Sequence, residues 1–196
     1  ATATFAANNG ASRGAEFNFT FGLASVTVAV GQNNHPDVKV GWFLVTDVNE
    51  LAAGDKVIIA AKNPDGDKDY AIKVPTSTNP NTIPGIAITL KGNMIDEVNG
   101  VEQFTLENGH ADHVGTWAFK GDKYSTYLNI TSGSLKLKSS LEIDGSWSIE
   151  IDSEGKATLT SKTTSSSNTM MFNYTSYNQT FSVYKPTQTG KGAIYI

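Results

Sequence analysis

Apolar and polar residues alternate with a period of two along most of this chain. The runs are short and rich in β-branched and aromatic residues, and they are cut by turn sequences such as Pro84-Gly85, Asn99-Gly100, Asn108-Gly109 and Glu154-Gly155. Successive side chains of a strand point to opposite faces, so this pattern predicts half-buried strands joined by tight turns. Only the segment 48–54, VNELAAG, has helical character, and it is long enough for a single turn.

The alternating runs recur. From Trp42 onward they fall into three units of four strands, and each unit opens on an aromatic-x-aliphatic strand: Trp42-Phe43-Leu44, Phe104-Thr105-Leu106 and Trp147-Ser148-Ile149. The second strands are expected at 57–60, 116–119 and 157–160, the third at 70–73, 127–130 and 169–172, and the fourth at 86–90, 135–138 and 181–184. Threefold recurrence of this size points to a β-trefoil or trefoil-like barrel, a closed barrel capped by three hairpins, whose closure removes open sheet edges. A β-sandwich is the alternative. Residues 1–41 stand outside the repeat as an N-terminal strand extension, with strands expected at 2–6, 17–21 and 25–30, ahead of a domain at 42–196. A last strand at 193–196 needs a partner, and pairing with the N-terminal strands is the simplest supply of one.

Composition narrows the function classes. A chain of 196 residues buries about 70% of its unfolded surface and supports a core without staples. With no cysteine there are no disulfides, no thiolate metal ligands and no thiol nucleophile. A net charge of −4, from 19 acidic and 15 basic residues, gives no basic footprint for nucleic acid. No apolar run approaches the roughly 20 residues of a membrane-spanning helix, so no membrane span is expected. Abundant Thr, Ser, Asn and Gly suit strands with polar turns and an extracellular surface.

The segments WFLVTDVNELAAGDKVIIAA, QFTLENG, GTWAFKG, YLNI, SWSIEIDSEGKATLTS, TFSVYK and AIYI cover about three quarters of the chain. Together they resemble a repeat-containing all-β module of secreted, surface-associated multidomain proteins of the Bacteroidota. Gly54-Asp55, Trp147, Ala157, Phe181 and Tyr184 stand at that module's landmarks. Met170-Met171-Phe172 departs from it, where such modules carry an aromatic-Leu-Arg-Tyr series. The resemblance implies export and module status, attached to nucleases, glycan-active enzymes or adhesins.

Candidate chemistry is sparse. Nucleophilic catalysis needs Ser or Thr beside an oriented base, and the histidines are His35, His110 and His113, two of them in the loop His110-Ala111-Asp112-His113. No Gly-x-Ser-x-Gly elbow or His-Glu-x-x-His motif occurs. The carboxylates fall mostly in turns, so no glycosidase pair stands out. Alternate carboxylates at Asp65, Asp67 and Asp69 in a Gly-containing loop suit Ca²⁺, although Thr76 stands where an EF-hand loop carries its bidentate Glu. Sugar binding uses aromatic faces flanked by hydrogen-bonding side chains. Tyr124, Tyr177 and Trp117, with Asp122, Asn178 and Gln179 beside them, are the candidates, while Trp42, Trp117 and Trp147 also sit at expected core positions. Asn-x-Thr sequons occur at Asn18, Asn129, Asn173 and Asn178.

The sequence therefore reads as a noncatalytic module, secreted or on the cell surface, with a glycan or another cell-surface ligand as partner and Ca²⁺ as the one cofactor with a candidate loop. The alternative is a structural or adhesive subunit that joins neighbouring subunits through its terminal strands. A small hydrolase using His110 and His113 is a further alternative.

Overall fold

The computed structural model describes residues 13–21, 24–32, 41–66, 68–80, 82–95, 98–175 and 179–196. The chain divides into two compact units, Ala1–Val40 and Gly41–Ile196. In the first, β1 (Arg13–Phe21) and β2 (Ala24–Gln32) form an antiparallel ribbon with nine facing pairs, from Arg13 opposite Gln32 to Phe21 opposite Ala24. The expected strand at 2–6 lies outside the described residues.

The second unit is all antiparallel β apart from two single 3₁₀ turns, Val48–Glu50 and Ile143–Gly145. Its strands are β3 (Trp42–Phe43), β4 (Lys56–Val57), β5 (Ala60–Ala61), β6 (Asp69–Ile72), β7 (Ile83–Ile88), β8 (Met94–Ile95) and β9 (Phe104–Asn108). They continue with β10 (Trp117–Gly121), β11 (Tyr127–Thr131), β12 (Ser134–Lys138), β13 (Trp147–Ile151), β14 (Ala157–Ser161), β15 (Thr169–Asn173), β16 (Thr180–Tyr184) and β17 (Ile194–Tyr195). Among the described residues, no helix is long and apolar enough to cross a membrane.

Strand pairing repeats in a fixed succession. β9 pairs with β10, β10 touches β11 through Lys120 and Tyr127, and β11 pairs with β12. In the same way β13 pairs with β14, β14 meets β15 through Thr160 and Thr169, and β15 pairs with β16. The first set in chain order, completed by the C-terminal strand, runs β17, β5, β6, β7. The sets are stitched together where Val57 faces Phe104, Trp117 faces Trp147 and Ala157 faces Ile194. The C-terminal strand thus takes the place that β9 and β13 hold in the other two sets.

This arrangement corrects two expectations. Trp42-Phe43-Leu44 does not open the first set: Trp42 is half-buried and faces Ile95 in a separate two-stranded sheet, whereas Phe104 and Trp147 are wholly buried. The C-terminal strand finds its partners at Ala60, Ala61 and Ala157 rather than in the N-terminal segment. The physical reason is shared, because β17 brings Ile194 and Ile196 into the main core at the position Trp42 was expected to fill.

The main core follows from the alternation. Ile59, Phe119 and Leu159, each two residues beyond a stitching position, are wholly buried on β10, β14 and the short segment between β4 and β5. Phe119 meets Phe104 and Trp147 edge-on, with ring centroids 6.1 and 6.5 Å apart, the geometry that aromatic quadrupoles favour. The Trp147 indole Nε1 donates to the Leu128 carbonyl at 3.1 Å, so its one polar atom is satisfied inside the core. Asn129, at an Asn-x-Thr sequon, is also wholly buried and presents no surface for glycosylation.

Residues 57–61, VIIAA, are buried at every position, unlike the alternating strands. Val57, Ile59 and Ala61 join the main core, while Ile58 and Ala60 join a second apolar cluster with Ala71, Ile88, Ile95 and Val101. A segment covered on both faces reads as a continuous apolar run. Gly85 lies inside β7 rather than in a turn, and a Cβ there would sit 3.2 Å from the Phe172 ring and 3.3 Å from the Gln179 carbonyl. The glycine therefore marks a close approach between strands.

Replacing Ile194 with Ala is expected to cost about 2–5 kcal/mol of unfolding free energy, the range for truncating a buried aliphatic side chain. Val114→Ala, at a position 95% exposed, is expected to stay within about 0.5 kcal/mol. Urea denaturation of the two variants checks both values, and equal effects would contradict the closing role of β17.

Candidate functional site

The second apolar cluster is not fully roofed. Its cover is the short pair β3 and β8, held by backbone bonds from Leu44 N–H to the Asn93 carbonyl and from Val45 N–H to the Ile196 carbonyl, both 2.9 Å. Beneath this cover lies a cavity of about 120 Å³, floored by Ile58, Ala60 and Ile88 and walled by Trp42, Phe43 and Tyr195. Phe43 is 53% exposed and Leu90 37% exposed, and both line the cavity. Lys62, Asp69, Asn93 and Glu154 supply the polar rim.

Two of those rim groups are already oriented. The Lys62 ammonium lies 5.2 Å from the centroid of the Tyr195 ring, a cation–π contact that draws the two side chains together. One carboxylate oxygen of Asp69 accepts the Asn63 backbone N–H at 3.2 Å. Glu154 follows the tight turn made by Asp152, whose carboxylate accepts the backbone N–H groups of Glu154 and Lys156 at 2.9 Å. The cavity thus combines flat apolar faces with acceptors and one donor cation, the composition of a small-ligand site.

The residues expected from the sequence are scattered. Asp122 and Tyr124 share the β10–β11 hairpin, where Asp122 is taken up by Lys56, at 2.5 and 2.7 Å, and by Thr105. Tyr124 is exposed beside Lys123. Trp117 lies at the opposite end of β10, half-buried against the main core. The Gln179 carbonyl accepts the Gly85 N–H at 2.7 Å, a strand-to-strand bond. Tyr177, Asn178 and Asp67 lie outside the described residues. Asp65 and Asp69 flank a turn in which the Asn63 side chain accepts the Asp65 N–H at 3.2 Å. Among the described residues, no three His, Asp or Glu side chains gather as a metal site.

The histidine loop carries a local pair. His110 Nδ1 lies 3.2 Å from the Asp112 carboxylate. The buried Ser146 hydroxyl accepts the His110 backbone N–H at 2.9 Å, so Ser146 pins the loop to the core.

Two carboxylates beside the β10–β11 hairpin are perturbed in opposite directions. Burial holds Glu102 above the ordinary glutamate value of 4.5; the Lys123 N–H it accepts at 3.0 Å pulls the other way, while the Asp122 charge adds to the rise. For Glu107 desolvation also pushes upward, but hydrogen bonds from Lys120 at 3.0 Å and from the Tyr127 hydroxyl at 2.8 Å outweigh it and hold the carboxyl below that value.

The fold places the chain in the all-β class, with its concave apolar site at one seam of the second unit. No family model matches the chain. No curated protein matches it. Among solved structures, a crystal structure of the lysenin pore is similar at a TM-score of 0.40 and 8% identity, over 88% of this chain and 57% of that chain. So slight a likeness transfers neither fold nor activity.

Glu102 gives a pH prediction. A carboxyl whose folded-state value is raised binds its proton more readily in the folded chain, so its contribution to stability is full below 4.5 and is lost as pH rises through the folded value. Glu102→Gln is therefore expected to be more stable than the parent at neutral pH, with the difference closing below pH 4.5. Thermal melts across that range check it, and a difference that widened on acidification would reverse the assignment.

Proposed function

We propose that the second unit is a noncatalytic binding module, a trefoil-like barrel that holds a glycan in the cavity between β3 and β17. The threefold succession of strand pairs, closed by the C-terminal strand, supports the barrel reading. The observation that carries the ligand reading is the cavity of about 120 Å³ with Trp42 and Phe43 on its wall and Asp69, Asn93 and Glu154 at its rim. A pyranose presents an apolar C–H face and a ring of hydroxyls, so aromatic walls with carboxylate and amide rims match both of its surfaces. The Tyr195 face is engaged by Lys62, which leaves Trp42 and Phe43 as the stacking platform. An extracellular or cell-surface setting accords with the Thr-, Ser- and Asn-rich surface and with the module resemblance.

A glycan array read with and without Ca²⁺ tests the reading. Binding is expected, and it should weaken about tenfold in Trp42→Ala, the loss of about 1.4 kcal/mol that one aromatic stacking contact represents. Tyr124→Ala should bind as the parent does. A dependence on Ca²⁺ would place the aspartate loop in the site, and a silent array would remove the glycan reading.

A further inference from the structure

We propose that the β1–β2 ribbon of the first unit is a membrane-inserting β-hairpin, one of several contributed by copies of this chain to a barrel in a lipid bilayer. The ribbon's register carries the argument. It sets positions 15, 17, 19 and 21 opposite 30, 28, 26 and 24, and every residue at these eight positions is Ala, Phe or Val. Positions 14, 16, 18 and 20 face 31, 29, 27 and 25 on the other side, and there every residue but Ala29 is Gly, Ser, Thr, Asn or Glu. The ribbon therefore has one unbroken apolar face and one mostly polar face made of small residues, the division of a strand with lipid on one side and water on the other.

Length and charge select a bilayer over a soluble partner. Each strand has nine residues, which rise about 30 Å and, tilted by about 40°, cover about 23 Å of depth, close to the roughly 25 Å apolar band of membrane barrels. No Asp, Glu, Lys or Arg occurs from position 17 to position 34, in a chain that is 17% charged. Arg13, at the open end of the ribbon opposite Gln32, sits where a cation belongs, at the interface rather than in the hydrocarbon. A lone ribbon leaves backbone groups on its outer edges without partners, which hydrocarbon does not tolerate, so ribbons from several copies must pair edge to edge.

The experiment uses the full chain carrying a terminal hexahistidine tag. It is tethered to phosphatidylcholine vesicles that contain a nickel-chelating lipid and trapped carboxyfluorescein, so surface attachment does not depend on any glycan. The parent chain is expected to release dye with a steep dependence on protein density. On the apolar face, Phe19→Asp and Val28→Asp should each abolish release, whereas on the polar face Asn18→Asp and Thr27→Asp should keep at least half of it. Melting of the second unit should be the same in all four, which separates insertion from folding. A tethered parent that releases no dye would overturn the proposal. So would equal losses on both faces, or apolar-face variants that lower the melting temperature or dissociate a soluble oligomer, since the ribbon would then be covered by protein.

Discussion

The second unit depends on its last few residues returning to meet the middle of the chain. A coiled antiparallel sheet either ends in two open edges or comes back to its start, and here β17 lies between β5 and β14 and completes the circuit β14, β15, β16, β7, β6, β5. A strand of two residues makes few ladder bonds, each of net worth about 0.5–1.5 kcal/mol. Burying Ile194 and Ile196 contributes about 1.5–3 kcal/mol apiece, so hydrophobic burial rather than the backbone ladder holds the ring shut.

Closure has a consequence at the neighbouring seam. β5 pairs with β17 along one edge and with β6 along the other, and residues 57–61 are also covered on both faces, one by the main core and the other by a second apolar layer. Part of that layer's cover is the two-residue strands β3 and β8, which bring Trp42 and Ile95, with Val98 and Tyr195 packed beside them. Two short strands cannot fill the space as a full strand would. The cavity and the exposed Phe43 are the geometric remainder of closing the sheet at this point.

Much of this was legible in the alternation. Most strand positions of the second and third sets follow from the period-two pattern, because strands such as β9, β12, β14 and β16 have one buried and one wetter face. The first set was harder. VIIAA carries no alternation, so its membership in two cores was hidden, and the aromatic Trp42 imitated the openings at Phe104 and Trp147. The sequence shows that an Ile-Tyr-Ile end is a strand but not which edge it meets, since register across about 130 residues is set by ring closure and not by local pattern. Pro84-Gly85 misled for a related reason, being a close approach between strands written in the letters of a turn.

The cavity could not be read from the sequence, and the residues expected in its place illustrate why. Sequence proximity gathered Asp122 and Tyr124 into one loop, yet a loop carboxylate with a lysine in reach pairs with it, and Asp122 spends both oxygens on Lys56. The cavity's groups come from six separate stretches of chain, around positions 42, 62, 69, 93, 154 and 195, so no local motif marks them. Their polar members sit at the rim, where water solvates them at little cost, and the aromatic wall is already paid for by the second core. Trp42 and Phe43 can be wetted or covered there without breaking any bond that holds the ring closed. The lining of this seam is therefore nearly independent of ring closure, so substitutions around β3 alter the cavity while β17 still holds the sheet closed.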